Sequence, residues 1–525
     1  MNRVFYVEEL VQRIALNADD RSVGSASLLA LACCCKALED PVMDVLWQRQ
    51  RILHVIIKTL PADCWTVTDS VYVSGIYLGL PSHSSKSLTS PHVQRIIRTP
   101  TPNEWERFRR YTARVVRLSV GLKVSSETVS FLGTLSTLSD PLWPRLTSLS
   151  LVRGLGWDAA TSALGFLSPK ITKFTLILPR DDNILLQPIL STASDRCHQI
   201  QELALDVVAD NSHCAQKAGE LIYACRDTLH TLCIWSPLKA EYFPIIANLP
   251  RLRILSLLGA HPPCDLPLNA FPALENVSFS KFHGQGLQHF FKRLCTTGLE
   301  VVDVEGTDTI AFKELIATLL RFSATLRFLH ISPVSDTELP SGVVPRLFAN
   351  LRTVSFGCSC WVNDDQDQCA FRLTDQAIAE LGAAMPNITD LYLGNIYCPS
   401  LQPTAFLSLV SLSKTCKDLE SLTIKVDFRT MIAPSLDESE DGGADATVDG
   451  TQGNAGDGCK LRDLDVGLST LSDHPESGWI VAIGLGKIFP SLPGVAAGYG
   501  SSRSEWVQVR RNIGMLRRVF RTVQW

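Results

Sequence analysis

A surplus of positive charge is missing from this sequence: 49 Lys and Arg face 53 Asp and Glu, a net charge of −4 over 525 residues. No global basic field draws such a chain to nucleic acid. Its one short basic stretch, Asn103–Arg114 (NEWERFRRYTAR), reads as a solvated helix face. Long apolar runs are also missing. The longest late one, Trp479–Phe489, is too short to span a bilayer and contains Gly484, Gly486 and Lys487. Glu8 and Glu9 stand where a signal peptide needs apolar residues. Cys358, Cys360 and Cys369 have no matching pair at zinc-ligand spacing. Gly154 with Gly156, and Gly484 with Gly486 and Lys487, complete neither a phosphate loop nor a dinucleotide fingerprint. There is no Gly-x-Ser-x-Gly elbow, and His198, His213, His230 and His330 are scattered. The expectation is a non-catalytic protein with no metal or cofactor and no nucleic-acid or membrane partner. Its 16 scattered cysteines suit a reducing compartment, cytoplasm or nucleus, with Cys33, Cys34 and Cys35 as small core residues.

What the chain does have is one phrase, repeated: an apolar residue, two others, apolar, one other, apolar. Clear copies are LTSLSL at Leu146, IQELAL at Ile200, LHTLCI at Leu229, LRILSL at Leu252, LRFLHI at Leu326, ITDLYL at Ile388, LESLTI at Leu419 and LRDLDV at Leu461. Looser copies start at Val115, Ile171, Leu274, Leu299 and Leu351. Most of these thirteen starts lie 22 to 31 residues apart, with gaps of 37 and 42 after Leu351 and Leu419. Positions 4 and 6 alternate as a strand does, and position 1 turns in at its start. Pro144, Pro250, Pro272 and Pro386 stand two residues before a phrase, ending the previous segment and favouring extended backbone beside them. A fifth, Pro490, points to a weak last strand at Leu492, Val495 and Ala497.

Between phrases the period becomes helical: Ala218, Leu221, Ile222 and Cys225; Leu287, Phe290, Phe291 and Leu294; Leu315, Ile316, Leu319 and Leu320. One such unit cannot bury its own apolar face, so stacked units share a core. The expected fold class is α/β, a leucine-rich-repeat solenoid over residues 115–474 with parallel strands on the concave face and helices outside. At about 4.8 Å per strand, the strand face runs for about 60 Å, enough for a protein ligand. The Asp- and Gly-rich stretch at about 434–458 is expected to be a disordered acidic loop, and NDDQDQ at 363–368 a shorter acidic insert. Residues 475–525 read as a capping repeat and helix, with Trp506, Val509, Ile513, Leu516 and Phe520 in one helical row.

Residues 1–60 lack the phrase and are helical in pattern. Leu10, Val11 and Ile14 share one face. Ser25 is an N-cap for a helix carrying Leu28, Leu29, Leu31, Ala32 and Cys35, and Pro41 suits the first turn of a third helix with Val42, Val45, Leu46 and Trp47. Short helices with this much apolar surface cannot bury it among themselves, which marks an interface. The stretch Val7–Trp47, above all ALACCCKALEDPVMDVLW, resembles the F-box at the N-terminus of many fungal proteins with leucine-rich repeats. EWERFRRYTARVVRLSV is similar to the segment that joins F-box to first repeat in those proteins. The family's usual opening Leu-Pro is replaced here by Tyr6 and Val7.

The resemblance implies a small all-helical F-box-like domain over residues 1–60. Pro61, Pro81, Pro91, Pro100 and the serine-rich PSHSSKSLTS make 61–100 linker-like, so 61–114 reads as a linker and an amphipathic connecting helix. The resemblance also implies binding to a Skp-family adaptor and, through it, to a cullin-RING ubiquitin ligase. Leu10, Ile14, Leu28, Leu29, Leu31, Cys35, Pro41, Val42 and Leu46 would form the motif's helical core or adaptor face. A plain helical cap shielding the first repeat is the other reading of these residues.

Ligand contacts would fall on the open face of the strands, where position 5 is mostly small and polar. Glu275, Glu300, Asp303 and Glu305 form an acidic patch over adjacent repeats. Arg327, His330 and Arg352 form a basic patch beside it, of a kind that suits a phosphate. Trp235 and Tyr392 are the large aromatics, the type that often dominates interface energy. The expected function is a substrate-recognition subunit of an SCF-type cullin-RING ligase with a protein target on the repeats. The alternative is a leucine-rich-repeat interaction scaffold with no ubiquitin role.

Overall fold

A computed structural model of the chain describes residues 24–34, 36–48, 52–69, 92–120, 124–136, 142–152, 163–177, 183–206, 212–236, 240–258, 266–282, 284–310, 312–334, 348–357, 374–398, 401–431, 459–471, 476–496 and 503–523. Leu10, Ile14, Cys35, Ala497 and both acidic inserts lie outside them. The chain divides into two compact units, Met1–Leu252 and Arg253–Trp525. Among the described residues, no helix is long and apolar enough to cross a membrane.

In the first unit, helices α1 (Gly24–Cys34) and α2 (Lys36–Gln48) pack on each other. Leu28 and Ala32 of α1 are buried with Leu38, Val42 and Val45 of α2. Pro41 sits well inside α2, not in its first turn as the sequence suggests. A proline there removes one backbone hydrogen bond, and the buried side chains around it offset that loss. Helix α3 (Leu53–Ile57) follows. Strands β1 (Trp65–Asp69) and β2 (His92–Ile96) then pair antiparallel, with Trp65 opposite Ile96. The expected linker over 61–100 therefore contains paired strands.

Helix α4 (Pro102–Thr112) is the connecting helix. Thr101 caps it, accepting from the Glu104 N–H while the Glu104 carboxylate accepts from the Thr101 N–H. Trp47 meets Tyr111 of α4 with ring centroids 4.8 Å apart. Arg114 pairs with Asp40 and, at 3.3 Å, with Asp44, which also takes Arg145 at 3.1 Å. These contacts tether the helical pair to the first repeats. Among the described residues, five parallel strands follow: β3 (Arg117–Val120), β4 (Ser148–Leu151), β5 (Lys173–Ile177), β6 (Glu202–Asp206) and β7 (Thr231–Ile234). Leu118, Leu149, Phe174, Leu203 and Leu232 stand in one register, all buried. The spacers carry helices α5 (Ser126–Ser136), α6 (Asn183–Arg196), α7 (Ser212–Ala224) and α8 (Phe243–Ala247). A bridge from Ile52 to Ser119 covers part of the β3 edge.

Among its described residues the second unit holds nine parallel strands: β8 (Ile254–Leu258), β9 (Asn276–Phe282), β10 (Val301–Ile310), β11 (Phe328–Val334), β12 (Thr353–Phe356), β13 (Asp390–Leu393), β15 (Ser421–Ile424), β17 (Asp463–Asp465) and β18 (Val495–Ala496). A separate short pair joins β14 (Thr404–Ala405) and β16 (Val426–Asp427). Helices α9 (Gly284–Arg293), α10 (Phe312–Leu319), α11 (Asp375–Ala384), α12 (Phe406–Thr415), α13 (Ser477–Ile488) and α14 (Arg503–Val523) complete it.

In every copy of the phrase the strand begins two residues after the phrase does, and the weak strand after Pro490 is β18. One backbone pattern fixes the spacing. The carbonyl at position 2 accepts from two N–H groups of the next phrase, as Glu275 does from Glu300 and Val301, and Glu300 from Arg327 and Phe328. Both lone pairs of a carbonyl are thereby used. Thr228 and Thr325 add a second tie, each donating its hydroxyl to the position-1 carbonyl of the previous phrase at 2.8 Å.

Candidate functional site

Helix α1 presents one apolar face outward. Leu29 is 51% exposed, and Ala30, Cys33 and Cys34 are exposed on the same side. The other proposed adaptor residues of the two helices lie deeper. Leu28 and Val42 are fully buried between α1 and α2, while Leu31, Pro41 and Leu46 are half-buried. Leu28 and Val42 therefore build the helical pair rather than its outer face.

The open strand face of the second unit gathers most of the charged residues read from the sequence. Position 5 forms a continuous lateral row: Ser256, Ser278, Asp303, His330, Ser355, Tyr392, Thr423 and Asp465, each opposite the next. Asp303 accepts from the Ser278 hydroxyl at 3.0 Å. Glu275, Glu300, Arg327 and Arg352 occupy position 2, at the strand starts, in that order. Glu305 lies further along β10, opposite Ser280 and Ser332. The acidic and basic patches thus stand on neighbouring strands. Tyr392 is half-buried between Ser355 and Thr423. Trp235, 38% exposed, follows β7 and belongs to the other unit.

Two arrangements were not foreseen. Asp63, Cys64 and Glu104 bring their donor atoms within 4.8 Å of one another. Arg98 fills that space, bonding Asp63 at 2.7 Å and Glu104 at 2.9 Å. The guanidinium holds the Glu104 carboxyl down at about 2. The cluster is an ion-pair knot that ties β2 to the start of α4, with the cation supplied by the chain itself. It went unseen because its members lie up to 41 residues apart, without a motif. The second is an open cleft of about 500 Å³ against β15, β17, β18 and α14, lined among others by Thr423, Arg462, Asp463, Asp465 and Arg510. Arg510 is committed to the Val495 carbonyl at 3.0 and 2.8 Å. Asp465 accepts from the Tyr397 hydroxyl and the Gly467 N–H, both at 3.0 Å. Comparison of the chain with protein-family models and with curated proteins finds no match.

Proposed function

We propose that the chain recruits protein substrates to a cullin-RING ubiquitin ligase: α1 and α2 dock a Skp-family adaptor, and the strand face holds the target. The observation that carries this reading is the outward face of α1, where Leu29 is 51% exposed beside Ala30, Cys33 and Cys34. A helical pair that served only to shield the first repeat would turn its large apolar side chains inward. Any chemistry then belongs to the partners, and this chain contributes positioning. Its reduced thiols suit the cytoplasm or nucleus.

The scaffold reading, with no ubiquitin role, keeps the strand face and drops the adaptor. Co-expression with a Skp-family adaptor separates the two. We expect co-purification of the pair and its loss in Leu29→Asp. Because Leu29 is exposed, that change should alter folding stability by no more than about 0.5 kcal/mol. Leu46→Asp is a poorer probe, since Leu46 packs against the buried cluster of the helical pair. Failure of the unaltered chain to hold the adaptor would leave the scaffold reading.

A further inference from the structure

We propose that the face of β9–β12 recognises an extended, bipolar segment of its protein partner. A basic residue would lie over β9 and β10, a large apolar one at the border of β10 and β11, and an acidic one over β11 and β12. This rests on the reading that the strands hold a protein ligand, and narrows that ligand to a chemistry.

The charge border follows a strand boundary. Asp303 and Glu305 lie on β10 with Glu300 just ahead of it, and His330 lies on β11 with Arg327 just ahead. Register sets Asp303 opposite His330 and Val301 opposite Phe328. These charges are not spent on each other. Among the described residues, no side-chain hydrogen bond or ion pair engages Glu300, Glu305, Arg327 or His330. Glu300 and Arg327 nonetheless meet through their backbones at 2.8 Å. Glu275 is only loosely paired, with Arg253 at 3.7 Å, and Arg352 donates to the Asn387 carbonyl at 3.0 Å.

Between the charged rows runs one that is apolar except at Asn276. Ile254, Asn276, Val301 and Phe328 stand in register at position 3. Ile254 is 38% exposed, and Val301 and Phe328 are half-buried. A uniformly acidic ligand would cover Glu300, Asp303 and Glu305 with like charge, and a uniformly basic one would do the same to Arg327 and Arg352. Like-charge juxtaposition at an interface costs several kcal/mol. Only a segment carrying both signs satisfies both columns. From the middle of β9–β10 to the middle of β11–β12 is two strand spacings, about 10 Å; the outer residues of an i, i+2, i+4 pattern, which keeps all three side chains on one face of an extended segment, stand about 13 Å apart and cover that distance with side chains inclined inward.

The test measures fluorescence anisotropy of labelled peptides with Lys-x-Phe-x-Asp, Asp-x-Phe-x-Asp and Lys-x-Phe-x-Lys cores against the full chain. We expect the bipolar peptide to bind about tenfold or more tighter than either like-charged one. Glu300→Arg with Glu305→Arg should turn the preference to the Asp-Asp peptide, and Arg327→Glu with Arg352→Glu to the Lys-Lys peptide. Each variant is expected to gain a ligand, so misfolding cannot imitate the predicted result. The inference is overturned if the bipolar peptide does not bind, if a like-charged peptide matches it on the unaltered chain, or if the order is unchanged in either variant. Adaptor association is measured separately on α1, so either idea can fail alone.

Discussion

At the scale of single residues, the buried thiols explain how so many cysteines fit a core. Cys197, Cys225 and Cys459 each donate to a carbonyl of the preceding repeat, those of Ser168, Cys197 and Cys416, at 3.3 to 3.4 Å. A small polarisable side chain with a weak donor suits a close approach between stacked turns. Burial pushes Cys197 up from 9.0 to about 12 and Cys225 to about 11. The sign follows from linkage. An unfolded chain releases these protons near pH 9 while the folded one keeps them, so their contribution is complete below pH 9 and is lost as pH rises towards 11 and 12. The thiolate is the nucleophile. Iodoacetamide at pH 8, read by peptide mass spectrometry, should therefore label the exposed Cys33, Cys34 and Cys295 in the native protein. Cys197, Cys225, Cys416 and Cys459 should react only as it unfolds. Native-state labelling of Cys225 at the rate of Cys295 would contradict the assigned packing.

At the scale of elements, Phe290 shows how a spacer helix is bound to its strand. It meets Phe271 at 5.4 Å, Phe279 of β9 at 4.9 Å and Phe291 at 5.4 Å, and all four rings are fully buried. Phe290→Ala should cost about 3–5 kcal/mol, measured as a lowered unfolding midpoint in urea. A loss below about 1 kcal/mol would mean that α9 is not seated there. Phe290 was visible in the sequence because the helical period around it is regular, and the strands were visible because period-2 alternation recurs in step with proline. β1 and β2 were not. Their own residues, WTVTD and HVQRI, are rich in β-branched types, but the prolines and serines around them dominate the composition of 61–100. Pro41 misled because local preference places proline early in a helix, whereas burial of Leu38, Val42 and Val45 starts α2 before it. In the site, the signs of the charged patches could be read from the sequence. That Glu300 and Arg327 remain unpaired, or that Arg98 fills the knot around Glu104, depends on side-chain paths that no periodicity records.

At the scale of the whole molecule, the two proposed contacts fall in different units: Leu29 in Met1–Leu252, and the charge border in Arg253–Trp525. Effects at sites without shared partners add to within about 0.5 kcal/mol. Leu29→Asp should therefore abolish adaptor association and leave the peptide order and affinities unchanged. The paired charge reversals should change the peptide order and leave adaptor association intact. A chain carrying Leu29→Asp together with either charge reversal should lose the adaptor, show that reversal's changed peptide order and nothing further, with the same unfolding free energy as the parent to within about 1 kcal/mol. Should Leu29→Asp also remove peptide binding, the two sites would be coupled, and the coupling would have to appear reciprocally as an effect of bound peptide on adaptor affinity. Absence of that reciprocal effect would mean instead that Leu29→Asp acts by unfolding the helical pair, and the outward face of α1 would lose its claim to be a docking surface.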